Sequence, residues 1–309
     1  LSIPPSLCMS DITHQACAIV VTYHPDLTAL LKLLGQLNKE TDFIIVDNGS
    51  PEIDELADSI LVYERCKRLI SLARNEGLAR GLNIGIEWAR RADYEFVFLF
   101  DQDSSLCDLY AQRMLSAWQE VNSVSKQGVA ALGPRIINPQ TMRQTPFKVF
   151  DRMFGRSDRR FASQSGFFEA DFLITSGSLI PMQCLDSIGA MKESLFIDNV
   201  DLEWCFRAKS QGYDVVGTDA AVLYHAIGER SENPLVRSGF MAQHNPSRTY
   251  YSSRNRVFLY QVDYAPVGWK MRDRIRFFLK ASWLLLVSPR RAEYWESVRR
   301  GVQDGRTLS

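Results

Sequence analysis

An α/β fold, built on a mainly parallel central sheet flanked by helices, is what this sequence predicts. Three observations carry that expectation. Short apolar runs rich in β-branched and aromatic residues recur along the first half of the chain, segments of helical period separate them, and most runs end in a polar turn. Alternation of this kind with short connections builds parallel sheets. At 309 residues there is room for one large domain or two modest ones.

The elements follow in order. Residues 17–22 (CAIVVT) read as the first strand, ending in Tyr23-His24-Pro25. Asp26 opens a helix that places Leu27, Leu30, Leu31, Leu34 and Leu37 at helical spacing. Residues 43–46 form the second strand, closed by the turn signal Asp47-Asn48-Gly49-Ser50. A short third strand at 69–72 ends near Arg74-Asn75, and 77–91 is a helix with Leu78, Leu82, Ile86 and Ala89 on one face. The unbroken apolar run 96–100 suits a fourth strand buried on both faces. Residues 110–121 are expected to be helical, and 129–132 form a strand before Gly133-Pro134-Arg135. Residues 138–168, polar and weakly patterned, are expected as a loop or insertion that orders on binding. A strand-like stretch at 172–180, a helix at 184–188 ended by Gly189, a helix at 202–211 capped by Gly212, and two short strands at 213–217 and 221–224 complete the core.

Composition narrows the function. Lys plus Arg and Asp plus Glu both total 36, so nothing global points to nucleic acid. Residues 248–309 nevertheless hold 13 Lys and Arg against 5 Asp and Glu, a basic C-terminal segment. Cys8, Cys17, Cys66, Cys107, Cys184 and Cys205 are scattered and form no CxxC pair, which fits reduced thiols in a cytosolic protein. No uncharged apolar stretch reaches 18 residues, so no transmembrane helix is expected. Residues 1–8 lack the basic start and long apolar stretch of a signal peptide, and Met9 is a candidate natural start. Residues 1–15 are expected to be a disordered or artificial lead.

The chemistry gathers at strand ends. Asp101 and Asp103 follow the fourth strand two residues apart, so in an extended segment they point the same way. That is the edge where open α/β sheets bind ligands. Two hard oxygen donors there suit Mg²⁺ or Mn²⁺ and hence a diphosphate, although a pair of solvated turn carboxylates reads the same way. Asp47, at the end of the second strand, can accept the N3–H of a uracil or thymine ring or bind a ribose hydroxyl; alternatively it is an Asx-turn residue. Thr22 and Arg74 end their strands at the same edge and can line the same nucleotide pocket. Residues 75–83 (NEGLARGLN) look like a Gly-rich phosphate loop without the Lys-[Ser/Thr] of an ATPase. Asp198, Asp201 and Glu203 cluster after an apolar run at a helix start. The helix dipole alone favours such placement, while a positioned carboxylate there also serves as a general base. Arg207, four residues past Glu203, reads as its helix partner. His225, one of four histidines, follows a strand and can complete an Asp/His metal site or be structural. Tyr250-Tyr251-Ser252-Ser253-Arg254-Asn255-Arg256 sets two arginines beside aromatics, either for phosphates or an acceptor or as a helix start.

Nine ordered pieces, IVVTYHP (19–25), IIVDNGS (44–50), NEGLARGLNIGI (75–86), FLFDQDSS (98–105), GPR (133–135), TSGSLI (175–180), LFIDNVDLEWCFR (195–207), HAIGE (225–229) and YYSSRNR (250–256), together resemble the family-2 inverting glycosyltransferases of the GT-A fold. The likeness is closest to their bacterial rhamnosyltransferase branch and covers roughly residues 17–260. It implies a Rossmann-like sheet over 16–260 and a C-terminal helical extension over 261–309. It also implies that Asp47 recognises the base, that Asp103 and His225 bind Mg²⁺ or Mn²⁺, and that Asp101 lies nearer the ribose. Thr22 and Arg74 complete the nucleotide-sugar site, and Asp198, Glu203 and Arg254 are candidates for acceptor or diphosphate contacts. The family's Glu-Asp pair is replaced here by Val200-Asp201. Asp201 falls on the catalytic-base position, with Asp198 the alternative. The implied donor is dTDP-β-L-rhamnose and the implied acceptor a saccharide or lipid-linked hydroxyl, in surface polysaccharide (O-antigen-like) or glycolipid synthesis; another UDP- or dTDP-sugar is the alternative donor.

Residues 269–287 mix five basic residues with bulky apolar ones. They read equally as a helix packed on the domain or as a basic amphipathic helix on the inner face of the cell membrane. Two rivals come from other classes. A haloacid-dehalogenase-like phosphatase would use the same DxDxS with Thr175, Lys192, Asp198 and Asp201, but its nucleophile strand normally opens the fold. A non-catalytic nucleotide-sugar binding module would have no need of Asp103, Asp201 and His225. A sugar-nucleotide pyrophosphorylase is disfavoured because TYHP (22–25) is not its Gly-rich loop.

Overall fold

A computed structural model describes residues 15–150, 156–225 and 245–308. Expectations for the N-terminal lead up to residue 14, Cys8 and Met9 among them, and for residues 226–229 of the HAIGE motif, lie outside the described residues.

The parallel half runs β1 (Ala16–Thr22), α1 (Leu27–Leu37), β2 (Asp42–Asp47), α2 (Ile53–Leu61), β3 (Cys66–Ser71), α3 (Leu78–Arg91) and β4 (Phe96–Asp101). The strands lie in the order β3-β2-β1-β4, all parallel. Successive β1 side chains point to opposite faces, and every one is buried. Cys17, Ile19 and Val21 join a core with Ala79, Leu82, Ile86 and Ala89 of α3. Ala16, Ala18 and Val20 join another with Leu30, Leu33, Leu34 and Leu37 of α1 and Phe98 and Phe100 of β4. The result is helix, sheet, helix. The Asp26 side chain caps α1 by accepting from the Ala29 N–H at 3.0 Å.

β3 starts at Cys66, three residues before the expected strand. Lys67 and Arg68 are exposed on this edge strand, and edge charge masks the apolar pattern. Gly81 and Gly85 are packing residues of α3, not a phosphate cradle. A Cβ on Gly81 would lie 2.8 Å from Val21 Cγ1, and one on Gly85 2.4 Å from Ile19 Cγ2.

The second half adds β5 (Ser105–Leu106), α4 (Tyr110–Val124), β6 (Val129–Ile137), β7 (Gln144–Thr145), β8 (Lys148–Val149), β9 (Arg156–Ser157), β10 (Phe167–Glu169), β11 (Ser178–Pro181), α5 (Met182–Ile188), α6 (Val200–Ser210) and β12 (Asp214–Tyr224). Here the sheet is mixed: β11 runs antiparallel between β4 and β6, β12 is parallel to β6, and β10 closes the edge antiparallel to β12. Residues 172–177, expected as strand, are not paired in the sheet, and only β11 is; Phe172, Ile174 and Thr175 turn toward the cavity described below. The two expected strands at 213–224 are one, with a register shift between Thr218 and Val222. The expected loop at 138–168 contains β7, β8 and β9 and buries Phe147, Phe150 and Phe161. Its two-residue strands are too short to leave a periodic trace. Arg135 sits over the Phe147 and Phe168 rings, at 4.3 and 4.7 Å, and pairs with Asp158 and Asp219.

Three helices follow: α7 (Pro246–Gln261), α8 (Val267–Val287) and α9 (Arg291–Gly305). α9 lies along α7, so closely that a Cβ on Gly301 or Gly305 would fall 2.6 or 2.4 Å from the Tyr250 or Arg254 carbonyl oxygen. α8 buries Trp269 and Leu284, with Trp269 edge-on to Phe206. Among the described residues no helix is long and apolar enough to cross a membrane.

Candidate active site

The ends of the parallel strands share one edge, because Thr22 pairs in register with Asp47, and Val21 with Asp101. A cavity of about 750 Å³ opens there. Thr22, Asp101, Asp103, Asp198, Asp201 and His225, from four separate stretches of chain, all line it.

Asp101 is the last residue of β4, and its backbone N–H donates to Ser176 Oγ at 3.1 Å. Burial raises its carboxyl above the usual range, and Asp103 adds to the rise, while His225 and Arg248 oppose it. His225, just past β12, turns Nε2 toward Asp101 Oδ2 at 3.7 Å and Nδ1 toward Asp103 Oδ1 at 3.5 Å. These are beyond hydrogen-bond length, and His225 Nδ1 is a buried polar atom without a hydrogen-bond partner. Among the described residues no group of three or more His, Cys, Asp or Glu is gathered closely enough to hold a metal as it stands. The donor chemistry nevertheless fits a divalent cation: two hard carboxylates and an imidazole nitrogen that lacks a partner.

Asp201 lies in the first turn of α6, and its Oδ1 accepts from the Leu202 N–H at 2.8 Å. Its carboxyl is pushed up to about 7, chiefly by burial, with Asp101 and Asp198 adding repulsion and the Leu202 bond opposing. The turn before it is strained. Phe196, Asp198 and Asn199 all have φ between 61° and 64°, a region non-glycine residues avoid. Buried Asn255 holds that turn together by donating from Nδ2 to the carbonyls of Leu195, Ile197 and Asp198 at 2.7–2.8 Å. Gly77 makes room for it, since a Cβ there would sit 2.6 Å from the Phe196 ring. Asp198 is held by Arg248, which donates from Nε and Nη2 at 2.9–3.3 Å, so its carboxylate is already engaged.

Four expected contacts do not reach the cavity. Asp47 is fully buried; Thr22 Oγ1, the Ser50 N–H and Ser50 Oγ donate to it at 2.7–2.8 Å. It closes the turn and fixes Thr22. The Arg74 side chain is 84% exposed and leans on Glu76 at 3.8 Å. Glu203 is buried, pairs with Arg207, and accepts from the Tyr264 hydroxyl at 2.8 Å. Arg254 donates to the Ser194 and Leu195 carbonyls and stacks near Tyr251. Asn48, Arg248 and Lys280 also line the cavity without having been singled out, together with Asn75 of the Gly-rich loop and Arg256 of the YYSSRNR stretch. Asn48, Arg248 and Lys280 sit in a turn and on helices, where no local pattern marks them as ligand contacts. Lys192 packs over the Phe258 ring, 5.1 Å from its centroid, and does not line the cavity, so the phosphatase constellation is incomplete.

The sequence pattern of Glycosyl transferase family 2 matches residues 17–173, just over half the chain. The dTDP-rhamnosyl transferase RfbF of Shigella flexneri is 27% identical over 291 residues, covering 93% of this chain and 94% of that protein. Two solved structures share the architecture. GalNAc-T7 with UDP, GalNAc and Mn²⁺ matches 89% of this chain with a TM-score of 0.58 and 12% identity, and the match spans only 58% of its own length. S. aureus TarS 1–349 in complex with UDP-GlcNAc matches 94% of this chain and 81% of its own, with a TM-score of 0.58 and 14% identity. Identities this low speak to the fold alone, which is GT-A. A family pattern running through β1 to β4 and on past β10, with an acidic cavity at the carboxyl ends of those strands, makes this chain a member of glycosyl transferase family 2, a glycosyltransferase.

Proposed function

We propose that the protein transfers L-rhamnose from dTDP-β-L-rhamnose to a hydroxyl of a saccharide or lipid-linked acceptor, with inversion at the anomeric carbon, in surface polysaccharide or glycolipid synthesis. One observation carries the site assignment: Asp101, Asp103, Asp201 and His225, distant in sequence, line one cavity at the carboxyl ends of parallel strands. The donor assignment rests on likeness to the Shigella relative along nearly its whole length.

In this reading the nucleotide lies along Thr22, Asn48 and Asn75, with Asp47 fixing Thr22 from behind. Asp101 faces the ribose side. Asp103 and His225, with Asp101 beside them, would hold Mg²⁺ or Mn²⁺, which supplies positive charge to a departing diphosphate. Asp201 takes the proton from the acceptor hydroxyl; a carboxyl near 7 is matched to that task at neutral pH. The acceptor oxygen then displaces the nucleotide from the opposite face of the sugar. Asp198, neutralised by Arg248, orders the acceptor side.

α8 supports a membrane-facing role. Met271, Ile275, Phe278, Leu279, Leu286 and Val287 are exposed, Phe278 and Leu286 by 70% and 80%, on a helix also carrying exposed Arg274 and Arg276. Its other face packs through Trp269 and Leu284, so the same helix both docks on the domain and offers an apolar, basic stripe. The protein is expected to bind vesicles containing anionic lipid, with affinity falling as salt rises. Absence of binding at low salt in a sedimentation assay removes this part of the proposal.

The donor test is a panel of nucleotide sugars with Mg²⁺ or Mn²⁺. Turnover of dTDP-rhamnose, with an α-rhamnoside detected by NMR, is the expected result. Preferential turnover of another sugar, or retention of configuration, overturns it.

A further inference from the structure

The cavity lining carries charges of both signs. Sheet and α6 residues bring Asp101, Asp103, Asp198 and Asp201; the C-terminal helices bring Arg248, Arg256 and Lys280. The two arginines have counter-ions: Arg248 is paired with Asp198, and Arg256 with Asp273 at 2.8 Å. Among the described residues Lys280 has neither a hydrogen-bond nor an ion-pair partner, although it lines the cavity from α8. A half-buried ammonium beside two guanidinium groups is unfavourable unless an anion joins it. Burial, then repulsion from Arg256, lowers its pKa to about 8, with Asp198 opposing.

Resting on the transferase reading above, we propose that Lys280, with Arg256, forms a phosphoryl-binding subsite among the C-terminal helix residues that line the cavity. A phosphoryl group suits these cations because its non-bridging oxygens point in different directions, so that Lys280 and Arg256 can donate to it from separate helices. Two sources offer that group: the donor's diphosphate, or a phosphate joining the acceptor saccharide to its carrier. Among the carboxylates Asp198 and Asp273 act on Lys280, and the reading above puts Asp198 on the acceptor side.

The test is calorimetric titration of the full chain with inorganic phosphate in Mg²⁺ buffer, alone and with thymidine diphosphate saturating. Wild type is compared with Lys280→Met, Lys280→Gln and Lys280→Arg, each checked by its melting temperature. The expected result is phosphate binding alongside thymidine diphosphate, weakened at least tenfold by Met or Gln and within threefold of wild type with Arg. Thymidine diphosphate affinity then stays within twofold, and the subsite belongs to the acceptor. If phosphate instead competes with thymidine diphosphate, and Met weakens both tenfold, the subsite stands and the group is the donor's. Affinities unmoved by all three substitutions, or no phosphate binding by wild type, overturn the proposal. Failure of the transferase reading looks different: Lys280-dependent phosphate binding persists while no nucleotide sugar turns over.

Discussion

Asp201 ties stability to chemistry in a single side chain. Its carboxyl, held near 7, lies well above the ordinary aspartate value of about 3.9, so ionising it costs the fold. Below about pH 4 that cost is absent. It grows as pH rises through the interval between the two values and is complete above about pH 7. Asp201→Asn is therefore expected to raise the melting temperature more at pH 8 than at pH 5. The same substitution is expected to lower transfer by roughly 10²-fold or more while nucleotide-sugar binding survives. Wild-type kcat/KM should fall as pH drops below about 7, the mirror of the stability effect. Unchanged transfer by the Asn variant moves the base elsewhere, and Asp198 is a poor substitute because Arg248 already occupies it. At this scale strand-end positions marked Asp101, Asp103 and His225 and an acidic helix start marked Asp201, and the fold brings all four to one cavity. Asp47, Arg74, Glu203 and Arg254 do not line that cavity, because a position in sequence fixes an edge, not a partner. Ser50, Glu76, Arg207 and the Ser194 carbonyl claim those side chains first.

At the scale of elements, two helices carry glycines four apart, and both use them for close packing rather than for ligands. Gly81 and Gly85 let α3 lie on β1, and Gly301 and Gly305 let α9 lie on α7. Gly85→Ala gains about 1 kcal/mol of helix propensity but drives a methyl into Ile19, an overpacking cost of about 1–3 kcal/mol. The net expectation is a modest destabilisation in urea melts with nucleotide affinity unchanged. Had these residues cradled phosphate, affinity would fall and stability would not. The four parallel strands and their helices were legible because long apolar runs and helical spacing are local signals. The mixed half was not. β7, β8 and β9 are two residues each, and β11 pairs antiparallel between β4 and β6 through contacts far apart in sequence. The turn at 196–199 was equally hidden, since its left-handed residues are Phe, Asp and Asn rather than glycine and are held by Asn255 from another element.

For the whole molecule, residues 261–309 are either an appendage or part of the catalytic unit, two options the sequence left level. The packing argues for one unit. Trp269 joins the core of α6 through Phe206, and Tyr294 and Val298 are buried in α9. The Tyr250 hydroxyl donates to Asp304, and the Tyr260 hydroxyl donates to Asp273. Lys280 closes one wall of the cavity. A chain ending at Tyr260 would expose α7 along the face that α9 covers and uncover Phe206. Burying a large aromatic side chain contributes roughly 1.5–3 kcal/mol, and several are lost together, against a total stability of about 5–15 kcal/mol for an ordinary domain. The shortened chain is therefore expected to melt at least 10 °C lower, by the usual conversion of a few kcal/mol, or to aggregate, and to lose transfer even where it stays in solution. A truncated chain with the full-length melting temperature and intact nucleotide binding would make residues 261–309 a detachable extension. In that case the apolar stripe on α8 would be its main purpose; if the truncation unfolds the protein, α8 instead joins catalytic core and outward-facing surface in one rigid piece.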